Sequence, residues 1–191
     1  GEVEIFEDPS AKGGAFANMY EGTDTSYGKI TNGKLHAVID SGSVITFYHE
    51  DGRVLLKEHF RRLRDEESMP LNIMGREYSN GVGDNFRIVT RFVARKGEKI
   101  FGMGQYQQHE LDLKGCMLEL AQRNSQVSVP FYLSSIGYGF LWNNPGVGQV
   151  MFANNGTEWV TESGKEIDYL VIAGDTPAEI EENYMTLTGK P

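Results

Sequence analysis

The amino-acid sequence predicts an all-β protein, an antiparallel β-sandwich finished by one C-terminal α-helix. Three observations carry this. Short apolar runs repeat with a period of two and stop at turn residues, which is the signature of half-buried strands. Glycine is abundant (23 of 191 residues) and proline scarce (6), as many short strands joined by tight turns require. Only one segment, at the very end, carries helical periodicity together with cap residues. Many short strands with little helix between them are expected to stack as two antiparallel sheets.

Residues 1–28, rich in glycine and small polar residues, give no readable pattern. A sandwich domain is expected over 29–175 and a helical segment over 176–191. Leu35, Ala37 and Ile39 alternate with His36, Val38 and Asp40, and Asp40-Ser41-Gly42 offers a turn. Ser43 to His49 is apolar on both faces, through Val44, Ile45, Phe47 and Tyr48, which suits a central strand. Asp51-Gly52 is a hairpin signal leading into Val54, Leu55 and Leu56. Phe86, Ile88, Thr90 and Phe92 share one strand face. Met117 to Ala121 reads as an apolar strand. Val127, Val129, Phe131 and Leu133 share another face, with Pro130 marking an edge or a bulge. Tyr138, Phe140 and Trp142 line the next strand, followed by Val150 and Phe152, then Ile167, Tyr169, Val171 and Ala173. Thr176-Pro177-Ala178-Glu179 is a capping box with proline at the first helical position, and Ile180, Tyr184 and Leu187 fall on one helix face. Gly189 closes the helix and Pro191 stops it.

Bulk composition excludes several classes. Net charge is −9, without the clustered Lys and Arg that displace counterions from a phosphate backbone, so no nucleic-acid partner is expected. Arg61, Arg62 and Arg64 are followed by Asp65, Glu66 and Glu67, and such a mixed run reads as a solvated face. A single cysteine, Cys116, allows no internal disulfide. No apolar run reaches the length of a membrane span, so no membrane partner is expected. The start Gly1-Glu2-Val3 has neither the charged nor the apolar region of a signal peptide, and a start without methionine suggests an excised piece. A cytoplasmic location is expected, in which Asn155-Gly156-Thr157 is a turn rather than a glycosylation site.

Local chemistry is sparse. His36, His49, His59 and His109 have no ligand spacing, so no metal is expected. Ser134-Ser135-Ile136-Gly137 lacks the framing of a nucleophile elbow. Cys116 reads as a buried structural thiol. Gly102-Met103-Gly104 has no helix after it to hold a phosphate and reads as a turn, and no cofactor is expected. Glu110 and Asp112, two apart, read as surface charge, because a glycosidase needs two carboxyls facing each other across a sugar. No catalytic residue is assigned.

Several stretches taken together resemble the N-terminal domain of glycoside hydrolase family 31, the α-glucosidases and α-xylosidases. They are Phe101-Gly102-Met103-Gly104-Gln105-Tyr106, Leu111-Asp112-Leu113-Lys114-Gly115, Leu120-Ala121-Gln122-Arg123-Asn124-Ser125-Gln126, Val129-Pro130-Phe131-Tyr132-Leu133-Ser134-Ser135 and Gly137-Tyr138-Gly139-Phe140-Leu141-Trp142-Asn143-Asn144. The ending, Gly174-Asp175-Thr176-Pro177 with Tyr184 and Leu187-Thr188-Gly189-Lys190-Pro191, resembles the segment before that family's barrel. The resemblance covers residues 97–191 and thins over 29–60. It implies a galactose-mutarotase-like sandwich followed by a (β/α)8 barrel that holds both catalytic aspartates and performs a retaining double displacement on an α-linked oligosaccharide. The barrel is then the partner, on the same polypeptide. The chain itself is implied to be non-catalytic, to support the barrel and to lend a loop, with Gln122, Arg123 and Asn124 as the substrate-loop residues. Some relatives carry an aspartate where this chain has Asn124.

Two other readings compete. A stand-alone carbohydrate-binding module would stack sugars on Tyr106, Tyr138, Trp142 or Trp159. An aldose mutarotase would need a general acid and base across the anomeric carbon, which no pattern assigns.

Overall fold

The structure, a computed structural model, describes residues 2–5, 26–40, 42–63 and 71–190. The chain divides into two compact units, Gly1–Glu58 and His59–Pro191. The first is one antiparallel sheet of β1 (Glu2–Ile5), β2 (Ser26–Asn32), β3 (Leu35–Asp40), β4 (Ile45–His49) and β5 (Val54–Lys57), in that order. β4 is interior, paired with β3 and β5, though β3 rather than β4 is the middle strand; Thr46, Phe47 and His49 are buried on it. Asp40 Oδ1 accepts from the amides of Gly42 (2.9 Å) and Val44 (3.0 Å), closing the turn before β4. Ser41 lies outside the described residues, as do Arg64, Asp65, Glu66 and Glu67.

The second unit holds the two facing sheets. A ribbon of β6 (Arg61–Leu63) and β7 (Leu71–Ile73) precedes β8 (Arg76–Asn80), β9 (Phe86–Phe92), β10 (Ile100–Gln105), β11 (Met117–Leu120), β12 (Val127–Ser134), β13 (Tyr138–Trp142), β14 (Gly148–Ala153), β15 (Gly156–Gly164), β16 (Tyr169–Ala173) and α1 (Pro177–Thr188). One sheet runs β11-β14-β15-β9-β8, the other β10-β12-β13-β16, and every pairing is antiparallel. Between them lies a layer of rings. Trp159 of the first sheet stacks on Phe140 (5.2 Å), Trp142 (5.6 Å) and Tyr132 (6.2 Å) of the second. Phe92 meets Phe140 and Tyr169 edge-on. The chain is all-β, as its periodicity predicts.

Several details depart from the alternation pattern. Ile88, Thr90 and Phe92 are buried, whereas Phe86 is 40% exposed, because it sits at the end of β9 beside the irregular register of β15 and packs edge-on against Tyr78. On β12 the inward residues are Tyr132 and Ser134. Phe131 and Leu133 face the helix instead, and Val127 and Val129 stay exposed, because the pairing with β13 begins only at Phe131. Pro130 lies at that gap, in a bulge of β12: Val129 to Phe131 face the single Met103 of β10 between the pairs Gly102–Tyr132 and Gly104–Ser128. Gly102-Met103-Gly104 is therefore strand, facing a bulge of its partner, rather than a turn. All three residues have positive φ (112°, 69° and 90°), and a Cβ on Gly104 would lie 2.2 Å from the Val127 carbonyl oxygen. β15, alternating Thr157, Trp159 and Thr161 inward, escapes the sequence reading, although its pattern is regular.

The helix forms as its caps dictate. Thr176 Oγ1 accepts from Glu179 N (3.2 Å), and the Glu179 carboxylate reaches back to Asp175 N (2.9 Å), one residue before the cap. Gly189 N donates to Met185 O at the other end. Ile180 is buried against Phe131 and Ile172, and the Tyr184 ring stacks on Phe131 at 4.0 Å. Leu187 departs from the expected apolar face and is 63% exposed, since the cluster under the helix ends at Tyr184.

A methyl added at Gly139 would lie 2.7 Å from Ile180 Cγ2 and 2.9 Å from the Phe131 ring, and one at Gly174 would lie 2.7 Å from Ile180 Cγ1. The two glycines form the hole that receives Ile180. Two substitutions test this seating by urea unfolding. Thr176→Ala is expected to cost about 1 kcal/mol through the lost cap. Gly139→Ala is expected to cost roughly 1–3 kcal/mol through overpacking. A Gly139→Ala midpoint equal to that of the parent would show that Ile180 is not held as described.

Candidate functional site

β11 belongs to the five-stranded sheet and β12 to the four-stranded one, so residues 121–126 carry the chain from one layer to the other. Gln126 N donates to Arg123 O (3.1 Å), and Ser125 takes φ 71° at the third position of this turn, where a left-handed residue is needed. Arg123 to Ser125 are exposed.

The three loop residues singled out from the sequence have different surroundings. The Gln122 amide is engaged on both sides of Ser128: its Nε2 donates to Ser128 O (2.8 Å), and its Oε1 accepts from Ser128 N (3.1 Å). The Arg123 guanidinium pairs with the Glu119 carboxylate four residues earlier, at the end of β11, with both side chains about half exposed (54% and 51%). Such a pair adds little to stability, but it gives the guanidinium a direction. Asn124 stands at the tip. Beneath the turn lies Tyr106, whose hydroxyl donates to Glu119 O (3.0 Å) and shares a second hydrogen bond with the Ser128 hydroxyl (2.7 Å). Burial raises the Tyr106 phenol above its ordinary pKa, so it remains a neutral donor.

A polar cluster missed in the sequence lies deeper. Glu98, 6% exposed, accepts from Ser134 Oγ (2.6 Å) and Tyr138 Oη (2.8 Å), and Lys114 Nζ lies 3.5 Å from its other oxygen. Tyr132 Oη is 3.1 Å from Tyr138 Oη. Nothing in the sequence marks Glu98, because a lone glutamate between lysines reads as surface. Asp112 is also structural: its Oδ1 accepts from Ile100 N (3.0 Å) and Lys114 N (3.1 Å), in a loop rather than on a strand with Glu110.

The remaining candidates are dispersed. Tyr138, Trp142 and Trp159 are 2% exposed or less, inside the ring layer, and cannot stack on a sugar. Tyr106 braces the turn. His36 stacks on Tyr48, His49 is buried beside Asp51 at 3.2 Å, and His109 is exposed. His59, whose pKa is lowered by burial and then by Arg91 and Arg61, lines a cleft of about 220 Å³ with Arg61, Arg91, Asn155 and Glu158. There Arg91 is held by Glu158 (2.6 Å) and Glu77 (2.8 Å). Cys116 is half-buried rather than buried, and burial followed by the nearby Glu110 and Asp112 carboxylates raises its pKa, so the thiol stays protonated. Among the described residues no group of three His, Cys, Asp or Glu could hold a metal ion, and no helix is long and apolar enough to cross a membrane.

No family model matches the chain. It is 44% identical over 173 residues to an uncharacterised family 31 glucosidase of Pseudescherichia vulneris, a match covering 85% of this chain and 33% of that protein. It is 34% identical over 113 residues to an α-xylosidase of Saccharolobus solfataricus, covering 54% of this chain and 16% of the relative. Among solved structures it superimposes on a GH31 α-xylosidase from a soil metagenome, complexed with xylose, with a TM-score of 0.77 and 42% identity, over 86% of this chain and 26% of that one. The chain thus spans a third or less of the length of these relatives.

The buried phenols make a pH test. Burial, then the Glu98 charge, raises the pKa of Tyr132; burial, then Tyr132 and Glu98, raises that of Tyr138. In the unfolded chain both ionise near pH ~10. Above that pH the folded state holds more protons than the unfolded one, so stability that is fully present below it is lost as pH rises. Unfolding midpoints measured from pH 8 upward are expected to fall beyond about pH 10, and Tyr138→Phe is expected to fall less steeply. Equal slopes would contradict the burial of Tyr138 as a neutral donor to Glu98.

Proposed function

Because the chain is a relative of the family 31 glycoside hydrolases over most of its length, we propose that it is the non-catalytic N-terminal domain of a retaining α-glycoside hydrolase. On this reading residues 29–175 form a galactose-mutarotase-like sandwich domain, and residues 176–191 lead into a catalytic (β/α)8 barrel on the same polypeptide. The observation that carries it is the asymmetry of coverage: a match embracing 85% of this chain takes up only 33% of its relative. The substrate is an α-linked oligosaccharide, and the α-xylosidase relatives favour an α-xylosyl end group. The lone Cys116 fits a cytoplasmic location.

The chemistry of such an enzyme needs two carboxyls about 5–5.5 Å apart, one a nucleophile and the other an acid then a base. Those belong to the barrel. This chain supplies a rigid wall and the turn from Arg123 to Gln126, which reaches toward the sugar. Asn124 brings an amide that can both donate to and accept from hydroxyls, and Arg123 brings a fork of donors. Their contribution is positioning, worth on the order of tenfold in turnover efficiency.

Two experiments test this. The isolated chain, incubated with p-nitrophenyl α-xyloside or α-glucoside, is expected to release no nitrophenol above blank; clear turnover by a pure sample would overturn the non-catalytic assignment. In the full-length enzyme Arg123→Ala is expected to lower kcat/KM with little change in Tm, and unchanged kcat/KM would return the arginine to a solvated connection.

A further inference from the structure

We propose that Tyr106 and Gln122 are positioning residues that aim the Arg123–Gln126 turn, leaving Asn124 as the member of the loop that meets substrate through an unengaged side chain. This rests on the reading that the turn faces the sugar pocket. The observation behind it is a brace of four hydrogen bonds that converge on one residue pair, Glu119 and Ser128, where the two sheets part.

Three features make the brace. First, β12 has no backbone neighbour on one edge at Ser128, because its pairing with β13 begins at Phe131. In an extended strand the N–H and C=O of one residue point to the same edge. The Gln122 side chain satisfies both groups of Ser128, taking the place of a missing strand. An amide used on both ends in this way is fixed in orientation, with one N–H and one lone pair left over. Second, the Tyr106 hydroxyl ties Glu119 O, at the end of β11, to the Ser128 hydroxyl, at the start of β12. It therefore fixes the separation of the two stems from which the turn springs. Third, Tyr106 follows the part of β10 that faces the β12 bulge, where Gly102, Met103 and Gly104 all have positive φ and Met103 is fully buried. The Glu98 cluster with the Asp112 loop anchors the beginning of β10 at Ile100. Glu119 itself carries the Arg123 pair, so the same stem also directs the arginine.

The arrangement separates roles that sequence alone merges. Gln122, adjacent to Arg123 and Asn124, looks like a third ligand, yet both ends of its amide are engaged on Ser128. Tyr106, an aromatic that could be a sugar platform, acts through its oxygen on the loop stems. Neither residue touches the reacting atoms.

The test uses the full-length enzyme with an aryl α-xyloside, measuring kcat and KM separately beside a thermal melt. Tyr106→Phe keeps the ring and removes one oxygen; Gln122→Met keeps the shape and removes both hydrogen bonds; Gln122→Glu keeps the acceptor for Ser128 N. Tyr106→Phe and Gln122→Met are each expected to lower kcat/KM by roughly 3- to 10-fold, with Gln122→Glu recovering part of the loss. Asn124→Ala is expected to lower it about tenfold. In a background carrying both Arg123→Ala and Asn124→Ala, Tyr106→Phe is expected to have almost no further effect, because both groups being aimed are gone. Equal losses from Tyr106→Phe in both backgrounds would overturn the inference in favour of a general structural role. A loss from Asn124→Ala with none from Tyr106→Phe or Gln122→Met would overturn the inference and leave the loop assignment standing. Full activity of Asn124→Ala would overturn both.

Discussion

Everything else in the second unit depends on the layer of aromatic rings between its two sheets. Trp159 lies against Phe140, Trp142 and Tyr132, and Phe92 and Phe152 close the layer from the same side. Such large side chains bury much apolar area and prefer stacked or edge-on contact, so they set both the spacing of the sheets and their register. Several polar groups inside the layer are tied to it. Trp142 Nε1 donates to Thr161 Oγ1 at 3.2 Å across the sandwich, and the Tyr132 and Tyr138 hydroxyls end on Glu98 and each other. A buried carboxylate with one partner removed is far more costly than the intact cluster is stabilising, so Glu98, Ser134, Tyr138 and Lys114 act as a unit that holds the start of β10.

From that frame the chain can afford irregularity where the sheets part. The left-handed stretch of β10, the β12 bulge that contains Pro130 and the unpaired edge of β12 all fall within a few residues of one another along the ladder. In a regular sheet these would be defects. Here they allow a strand of one sheet to hand over to a strand of the other, with the exposed backbone at Ser128 satisfied by a side chain. An exposed turn becomes a fixed one because its stems are hydrogen-bonded to a rigid layer. That is what a loop serving another domain requires: precision supplied from behind, with the tip left open.

Much of this was legible in the sequence, for reasons specific to each element. Alternation in Tyr138, Phe140 and Trp142 reported a strand facing a core. Thr176, Pro177 and Glu179 reported the helix start, because capping is a local interaction between neighbouring residues. Pro130 reported a break in a ladder. The failures also have physical causes. Gly102-Met103-Gly104 read as a turn because positive φ is common in turns, and only the register with β12 shows it to be strand. Val127, Val129, Phe131 and Leu133 read as one core face, but whether that face is covered depends on a helix placed over half of it. Glu98 and the partners of Gln122 were not legible at all: Glu98 meets Ser134 and Tyr138 36 and 40 residues away along the chain. The loop residues Gln122, Arg123 and Asn124 stood out only through resemblance to a family, which marks a segment and does not divide its roles.

The central claim is that this chain is a supporting domain whose Arg123–Gln126 turn is held rigidly against the sugar pocket of a following barrel. The most direct measurement is a crystal structure of the full-length enzyme with a bound α-xyloside or its unreactive analogue. The account predicts the Asn124 side-chain amide within hydrogen-bond distance, about 3 Å, of a sugar hydroxyl, with Gln122 still engaged on Ser128. A turn directed into solvent, with Asn124 farther from the sugar than one bridging water can span, roughly 6 Å, would contradict it.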